Sequence, residues 1–209
     1  GEPFKVFYDY KKEGIWQLGE EAAAAANGQE PGDIKVQDVD GNGVITTDDR
    51  IIYSQRPDVT FGFNNTFNYK GFDLSVFLYA RLGQWIAYDY NTTYRINALE
   101  NGGNVDYWTP ENPTNAFPRP NKSKSYTQVT YYSTLKYEDG SFFKIRDITL
   151  GYTFKPELLK HLNLSKLRVY ATAKNFFTFS KIDNYDPEQG GSISFPMTKQ
   201  LVFGLNVEF

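Results

Sequence analysis

The residues with the clearest chemistry lie at 38–49, which read Asp-Val-Asp-Gly-Asn-Gly-Val-Ile-Thr-Thr-Asp-Asp. Asp38, Asp40 and Asn42 alternate, so a tight turn brings their short oxygen-bearing side chains to one point. Gly43 stands where a backbone wrapped around that point must bend sharply. Val44 would contribute its carbonyl, Ile45 would pack inward as an apolar anchor, and Asp49 would close the shell. This is the spacing of a calcium loop, in which hard oxygens converge on a cation that takes six or more of them. The closing Asp reaches less far than the usual Glu, and no helical pattern flanks the motif. The expectation is an EF-hand-like loop within 33–50 that binds one structural calcium through Asp38, Asp40, Asn42, Val44 and Asp49. The same residues also read as an Asx-rich turn held by its own side chain-to-backbone hydrogen bonds.

Little else in the chain is suited to covalent chemistry. There is one histidine, His161, and it lies in a short turn far from the long loops. No Ser/His/Asp arrangement, zinc spacing or phosphate loop is present, so the chain is not expected to be an enzyme. Cysteine is absent, which excludes disulfides and thiolate metal sites. The net charge of −3 gives no reason to expect nucleic acid as a partner. A second kind of candidate is aromatic. The long segment 83–140 carries Trp85, Tyr88, Tyr90 and Trp108, rings suited to contact with a substrate or to packing against neighbouring loops.

The elements that must position these residues read as strands. Residues 59–69 alternate, with Phe61, Phe63, Phe67 and Tyr69 on one side. Lys70-Gly71 is a hairpin turn, and 72–82 returns with Phe72, Leu74, Val76, Leu78, Ala80 and Leu82 on one face. Residues 141–154 form a strand whose parity switches near Arg146-Asp147, as at a bulge. Residues 166–174 and 201–209 complete the C-terminal set, and 4–16, with looser alternation, makes a sixth strand. Residues 17–33 read as loop with an alanine run at 22–26, and 156–161 as one helical turn opened by proline.

Two architectures fit these strands. One is a secreted, calcium-stabilised β-sandwich that binds glycans. The other is part of a membrane barrel. Strands of about eleven residues match a tilted transmembrane strand and exceed the usual globular length. Connections also alternate: 17–58 long, 70–71 short, 83–140 very long, 155–165 short, 181–197 long. Long loops on one side and short turns on the other are the sidedness of an outer-membrane barrel. The short-turn side collects Tyr69, Phe72, Tyr152, Phe154 and Phe209, as an interfacial girdle would. Aromatics make up 17% of a chain that is polar on average, which suits strands that alternate between lipid and a wet lumen. The chain opens at Gly1-Glu2-Pro3 without a signal peptide and runs straight into strand-like sequence, as a mature domain or a segment of something longer would.

Several stretches resemble the C-terminal part of the SusC/RagA family of TonB-dependent outer-membrane transporters. They are PGDIKVQDVDGNGVI, TFGFNNTFNYKGFDLSVFLYARLGQ, YWTPENPTNAFPRP, DGSFFKIRDITLGYTF, LRVYATAKNFFTFSK with YDPE after it, and the closing FGLNVEF. The resemblance implies an all-β fold: about six C-terminal antiparallel strands of a large transmembrane β-barrel, with long extracellular loops and short periplasmic turns. It places residues 1–209 in that barrel, with plug and earlier strands outside the chain. It implies an importer of oligosaccharides or peptides in the outer membrane, working with a SusD-like lipoprotein lid and the TonB system. Trp85, Tyr88, Tyr90 and Trp108 then become candidates for substrate or lid contact. Gly204, Val207 and Phe209 match a barrel assembly signal, although Val202 stands where a polar residue is typical.

Overall fold

The computed structural model describes residues 3–97 and 102–209. Residues 98–101, part of the long aromatic segment, and Gly1-Glu2 lie outside the described residues. In chain order the strands are β1 (Val6–Tyr10), β2 (Lys12–Ile15), β3 (Ile34–Val36), β4 (Arg50–Ser54), β5 (Val59–Tyr69), β6 (Phe72–Leu82), β7 (Trp85–Ala87), β8 (Tyr137–Asp139), β9 (Phe142–Thr153), β10 (Lys166–Ser180) and β11 (Gln200–Glu208). Two short helices, α1 (Glu21–Ala26) and α2 (Pro156–Leu159), accompany them. The chain divides into two compact units. One holds the residues up to Arg56 with Trp85–Glu138 and Gly190–Ile193, the other Pro57–Gln84, Asp139–Gln189 and Ser194–Phe209.

The second unit is a five-stranded antiparallel sheet in the order β11-β10-β9-β6-β5. Its register lines up the apolar parity of every strand. Phe67 pairs with Leu74, Leu74 with Leu150, Leu150 with Ala171 and Ala171 with Phe203. One step on, Val76, Ile148, Ala173 and Leu201 follow in the same way, and Asn65 is the one polar member of that row. Alternation alone would not do this. A slip of one residue in any strand would turn its apolar set to the opposite face. The tight turn Lys70-Gly71 fixes the β5–β6 register. Both residues have positive φ, 48° and 89°, the backbone of a two-residue hairpin whose twist matches its strands.

The bulge expected at Arg146-Asp147 is present: Phe77 pairs with Asp147, but its neighbour Leu78 pairs with Ile145. A matching irregularity interrupts β10 between Lys174 and Phe177, where Asn175 has φ of 58°. This accounts for a difference from the sequence reading. The alternation of β10 breaks at Lys174, yet the strand runs on to Ser180. Two residues of β10, Asn175 and Phe176, stand opposite the single Arg146, and this one extra residue matches the parity switch of β9, so Phe177 and Phe179 lie on the apolar face opposite Ile145 and Phe143.

The expected sixth strand, 4–16, is not in this sheet. It is broken into β1, paired with β4, and β2, paired with β3, both in the first unit. A five-residue strand spans roughly 17 Å, too little for a membrane core of about 30 Å. The sheet therefore holds five barrel-length strands where the sequence led us to expect about six. The alanine run, read as loop, forms the six-residue helix α1. Segment 83–140 is likewise more than a loop: β7 pairs with β8, and 3-10 turns lie between them. The two long insertions share one core of Ile15, Ile34, Val36, Trp108 and Leu135, with Ile45, Phe117 and Val129 packed against it.

Candidate functional site

The acidic loop folds as a converging turn. Ligand-capable oxygens of Asp38, Asp40 and Asp49 all lie within 4.8 Å of one another. Asn42 sits beside them, its Nδ2 donating to Asp40 Oδ2 at 2.7 Å while its Oδ1 accepts the Val44 N–H at 2.8 Å. Gly43 has φ of 83°, the sharp bend expected there, and its N–H donates to Asp38 Oδ2 at 2.7 Å. Ile45 packs inward on the core as its place in the motif requires.

Asp49 is fully buried. Its Oδ2 accepts the Thr46 N–H at 2.7 Å and its Oδ1 the Val39 N–H at 2.8 Å. The bond from Thr46, then those from Val39 and Asp40, hold its carboxyl below the usual carboxylate range against the opposing effect of burial. Thr46 caps the 3-10 turn Thr47–Asp49, so that Thr46 and Asp49 close a reciprocal capping box. Each carboxylate has more lone pairs than N–H partners. The donor set of hard oxygens thus suits a hard divalent cation, and the N–H bonds orient it.

The four aromatic candidates fall into two kinds. Trp108 is 4% exposed, and its Nε1 donates to Gln17 Oε1 at 2.8 Å. Its ring lies over Gly32, where a Cβ would come within 2.7 Å of Trp108 Cε3. Tyr88, at 5% exposed, is equally enclosed. These two rings build the first unit and present almost no surface to a ligand. Trp85 and Tyr90 are half-buried: Trp85 meets Tyr53 edge-on at 4.8 Å between centroids, and Tyr90 stacks with Tyr88 at 5.9 Å.

The sheet itself carries the larger functional feature. On one face Phe67 is 60% exposed, Leu150 52%, Phe203 74% and Leu205 65%. A β-sandwich would bury such a face against a second sheet. The other face is polar and internally paired. Arg168 grips Asp73 through two hydrogen bonds of 2.8 and 2.5 Å, Thr149 meets Thr172 at 2.8 Å, and Lys174 pairs with Asp147 at 3.3 Å. Tyr170 lies between two glycines, Gly151 on β9 and Gly204 on β11. A Cβ at Gly204 would strike the Tyr170 ring, and one at Gly151 would come within 2.5 Å of both Asp73 Oδ1 and Arg168 Nη2. Gly204 therefore has a packing duty apart from any assembly signal. Val207 pairs with Leu167, and Phe209, 94% exposed, follows β11 at the short-turn end. At that end Phe72 and Tyr152 rings lie 4.7 Å apart and Tyr152 meets Phe154 at 5.0 Å, the arrangement of an aromatic girdle.

The polar network went unread in the sequence, although one signal for it was there. Gly151 stands inside a strand, which marks a close approach of something large, and here that is the Arg168–Asp73 pair.

No family model matches the chain. Among curated proteins it is 31% identical over 235 residues to TonB-dependent receptor P3 of Formosa agariphila, covering 100% of this chain and 22% of that protein. TonB-dependent receptor P26 of the same organism is 32% identical over 232 residues, again with 100% of this chain and 23% of the relative covered. TonB-dependent receptor SusC of Bacteroides thetaiotaomicron is 31% identical over 181 residues, 82% of this chain and 17% of that receptor. The chain thus spans less than a quarter of the length of these relatives, which are named as receptors and not as enzymes. Among solved structures, a chain of the RagAB peptide transporter matches with a TM-score of 0.73 at 24% identity, covering 100% of this chain and 23% of that one, a likeness of fold. With barrel-length antiparallel strands, an exposed apolar face and these relatives, the chain belongs with the C-terminal barrel part of the SusC/RagA family of TonB-dependent outer-membrane receptors.

Proposed function

We propose that this chain builds five adjacent wall strands of an outer-membrane barrel whose whole form imports oligosaccharides or peptides, driven through TonB and covered by a SusD-like lipoprotein. The observation that carries this reading is the in-register apolar face shared by five antiparallel strands, with a self-paired polar face behind it. The apolar face meets outer-membrane lipid and the polar face a wet lumen. Further strands and a plug complete the barrel, and the plug side carries the contact with TonB. The connections between β6 and β9 and between β10 and β11 leave the sheet at the end opposite the Lys70-Gly71 turn, and this end faces the cell exterior. Trp85 and Tyr90, which keep accessible surface, are the residues we assign to substrate or lid contact.

Sidedness is testable with a cysteine at Glu111, which is exposed in the turn around Thr109 and Asn112. In the complete receptor, Glu111→Cys is expected to react with a membrane-impermeant maleimide on intact cells. Reaction only after the outer membrane is opened would overturn the orientation. Asn115 is a poorer position, since its Oδ1 accepts the Ile15 N–H at 3.0 Å.

We further propose that Asp38, Asp40 and Asp49, with Asn42 and the Val44 carbonyl, hold one calcium ion of structural role. The ion would neutralise three clustered carboxylates and fix the loop over the Ile45 anchor; no step of transport runs through it. In the complete receptor, hydrogen exchange across 38–49 is expected to be slower in millimolar calcium than in chelator, and Asp40→Ala is expected to erase that difference while leaving barrel insertion intact. Equal exchange in both buffers would reduce the motif to an Asx-rich turn. The effect has a pH sign. Asp49 is depressed in the folded state, so its contribution is fully present above the unfolded value of about 3.9 and is lost as pH falls through the folded value. The protection of 38–49 relative to intrinsic amide exchange is expected to hold above about pH 5 and to fall as pH drops below about 4.

A further inference from the structure

The polar face of the sheet holds a lysine that the reading above leaves without a role. The side chain of Lys144, on β9, has no exposed surface. Its Nζ lies 2.6 Å from Asp186 Oδ2 and 2.7 Å from Glu188 Oε2. Arg146 reaches Glu188 Oε1 at 3.1 Å, and Thr178 donates to Asp186 Oδ2 at 3.4 Å. The bulge is what makes this cluster possible. Unbroken alternation from Asp147, Thr149 and Gly151 would turn Lys144 to the apolar face; the extra residue in β9 switches the parity, so that Lys144 joins the polar face beside Tyr79 and Thr178.

Both acids belong to the connection that follows β10. Pro187–Gln189 is a 3-10 turn, the Glu188 N–H donates to Asp186 Oδ1 at 3.0 Å, and Pro187 is fully buried. The neighbours Lys181, Asp183, Asn184 and Gln189 are exposed. Beside the buried Pro187, the ionic cluster ties this segment to β9. The same connection and the end of β10 border an open, largely polar cavity of about 290 Å³, lined by Asn175, Thr178, Ser180, Asp183, Asp186 and Lys199 among others. Asp186 belongs to both the cluster and the cavity wall.

We propose that Lys144 is a positioning residue: it clamps Asp186 and Glu188 against the β9 bulge, sets where the β10–β11 connection lies along the polar face, and so holds this cavity open. Its place in transport rests on the import reading above, because this connection then forms part of the wall that cargo passes. The placement itself rests on the geometry alone. Removing the ammonium would leave the two carboxylates without their shared cation, with Arg146 on Glu188 and the neutral donors Thr178 and the Glu188 N–H on Asp186 among the described residues to offset them. Breaking one partner of a buried ion cluster costs far more than exchanging the whole cluster for neutral groups.

The test uses hydrogen exchange on the complete receptor in detergent, a readout that needs no cargo and is therefore independent of whether import is observed. In Lys144→Met, residues 181–189 are expected to exchange about 100-fold faster or more, while β6 and the short-turn half of β9 keep their protection. Lys144→Arg, which retains the charge, is expected to recover most of that protection. Lys144→Met combined with Asp186→Asn is expected to recover part of it, because the remaining Arg146–Glu188 pair is then balanced. If Lys144→Met fails to insert, Asp186→Asn alone is expected to loosen 181–189 by about tenfold in an inserted barrel. Unchanged exchange at 181–189 in these variants, loss spread evenly over all strands, or no recovery with arginine would each overturn the proposal.

Discussion

An arginine in place of Ile148 is expected to prevent stable insertion of the complete barrel. Ile148 lies in the middle row of the apolar face, between Val76 on β6 and Ala173 on β10. An arginine there must either remain in hydrocarbon or drag water and headgroups inward, which costs about 2–4 kcal/mol at the midplane of a membrane barrel. That corresponds to a roughly 30- to 1,000-fold shift in the folded fraction. The control is Thr66→Arg on β5, which lies on the polar parity opposite Ser75 and is exposed. It is expected to insert like the parent, because a lumenal arginine stays in water. Reversible urea unfolding in lipid vesicles measures both. Equal destabilisation by the two substitutions would contradict the assignment of the faces.

The second large effect concerns the 209-residue chain produced by itself. Its sheet has two edges, β5 and β11. Both are long, and each presents a row of unpaired N–H and C=O groups that cost several kcal/mol apiece in lipid. In water the difficulty moves to the apolar face, whose exposed rows from Phe61 to Phe179 and from Phe67 to Phe203 form a patch larger than soluble monomers tolerate. Five strands also fall short of the smallest closed membrane barrels, which have eight. The isolated chain is expected to aggregate in water and to remain oligomeric in detergent, with rapid exchange at β5 and β11. The same strands in the complete receptor are expected to be protected, because neighbouring strands pair with both edges. A monodisperse, water-soluble monomer with protected β5 and β11 would overturn the barrel assignment.

Much of this protein was legible in its residues. Strands 59–69 and 72–82, their two-residue turn and their apolar faces needed only alternation, since side-chain direction in a strand repeats every two residues whatever the partner. The bulge at Arg146-Asp147 was visible as a break in that alternation, and the acidic loop as a spacing, because both are local. The inward Ile45 followed from its place in the loop. What the tertiary structure decided is what depends on partners far away in the chain. The segment 4–16 alternates like a barrel strand, yet β1 and β2 pair with β4 and β3, since pairing depends on which edges are within reach. β10 runs past Lys174 because a neighbouring strand accommodates its extra residue. Trp108, in a segment read as an aromatic loop, became a core residue because Gly32, far away in the sequence, leaves room for its ring. Lys144 looks like any strand lysine in the sequence. Burial and two carboxylates more than forty residues away turn it into the anchor of a loop, for the physical reason that charge and volume act through space while alternation acts along the chain.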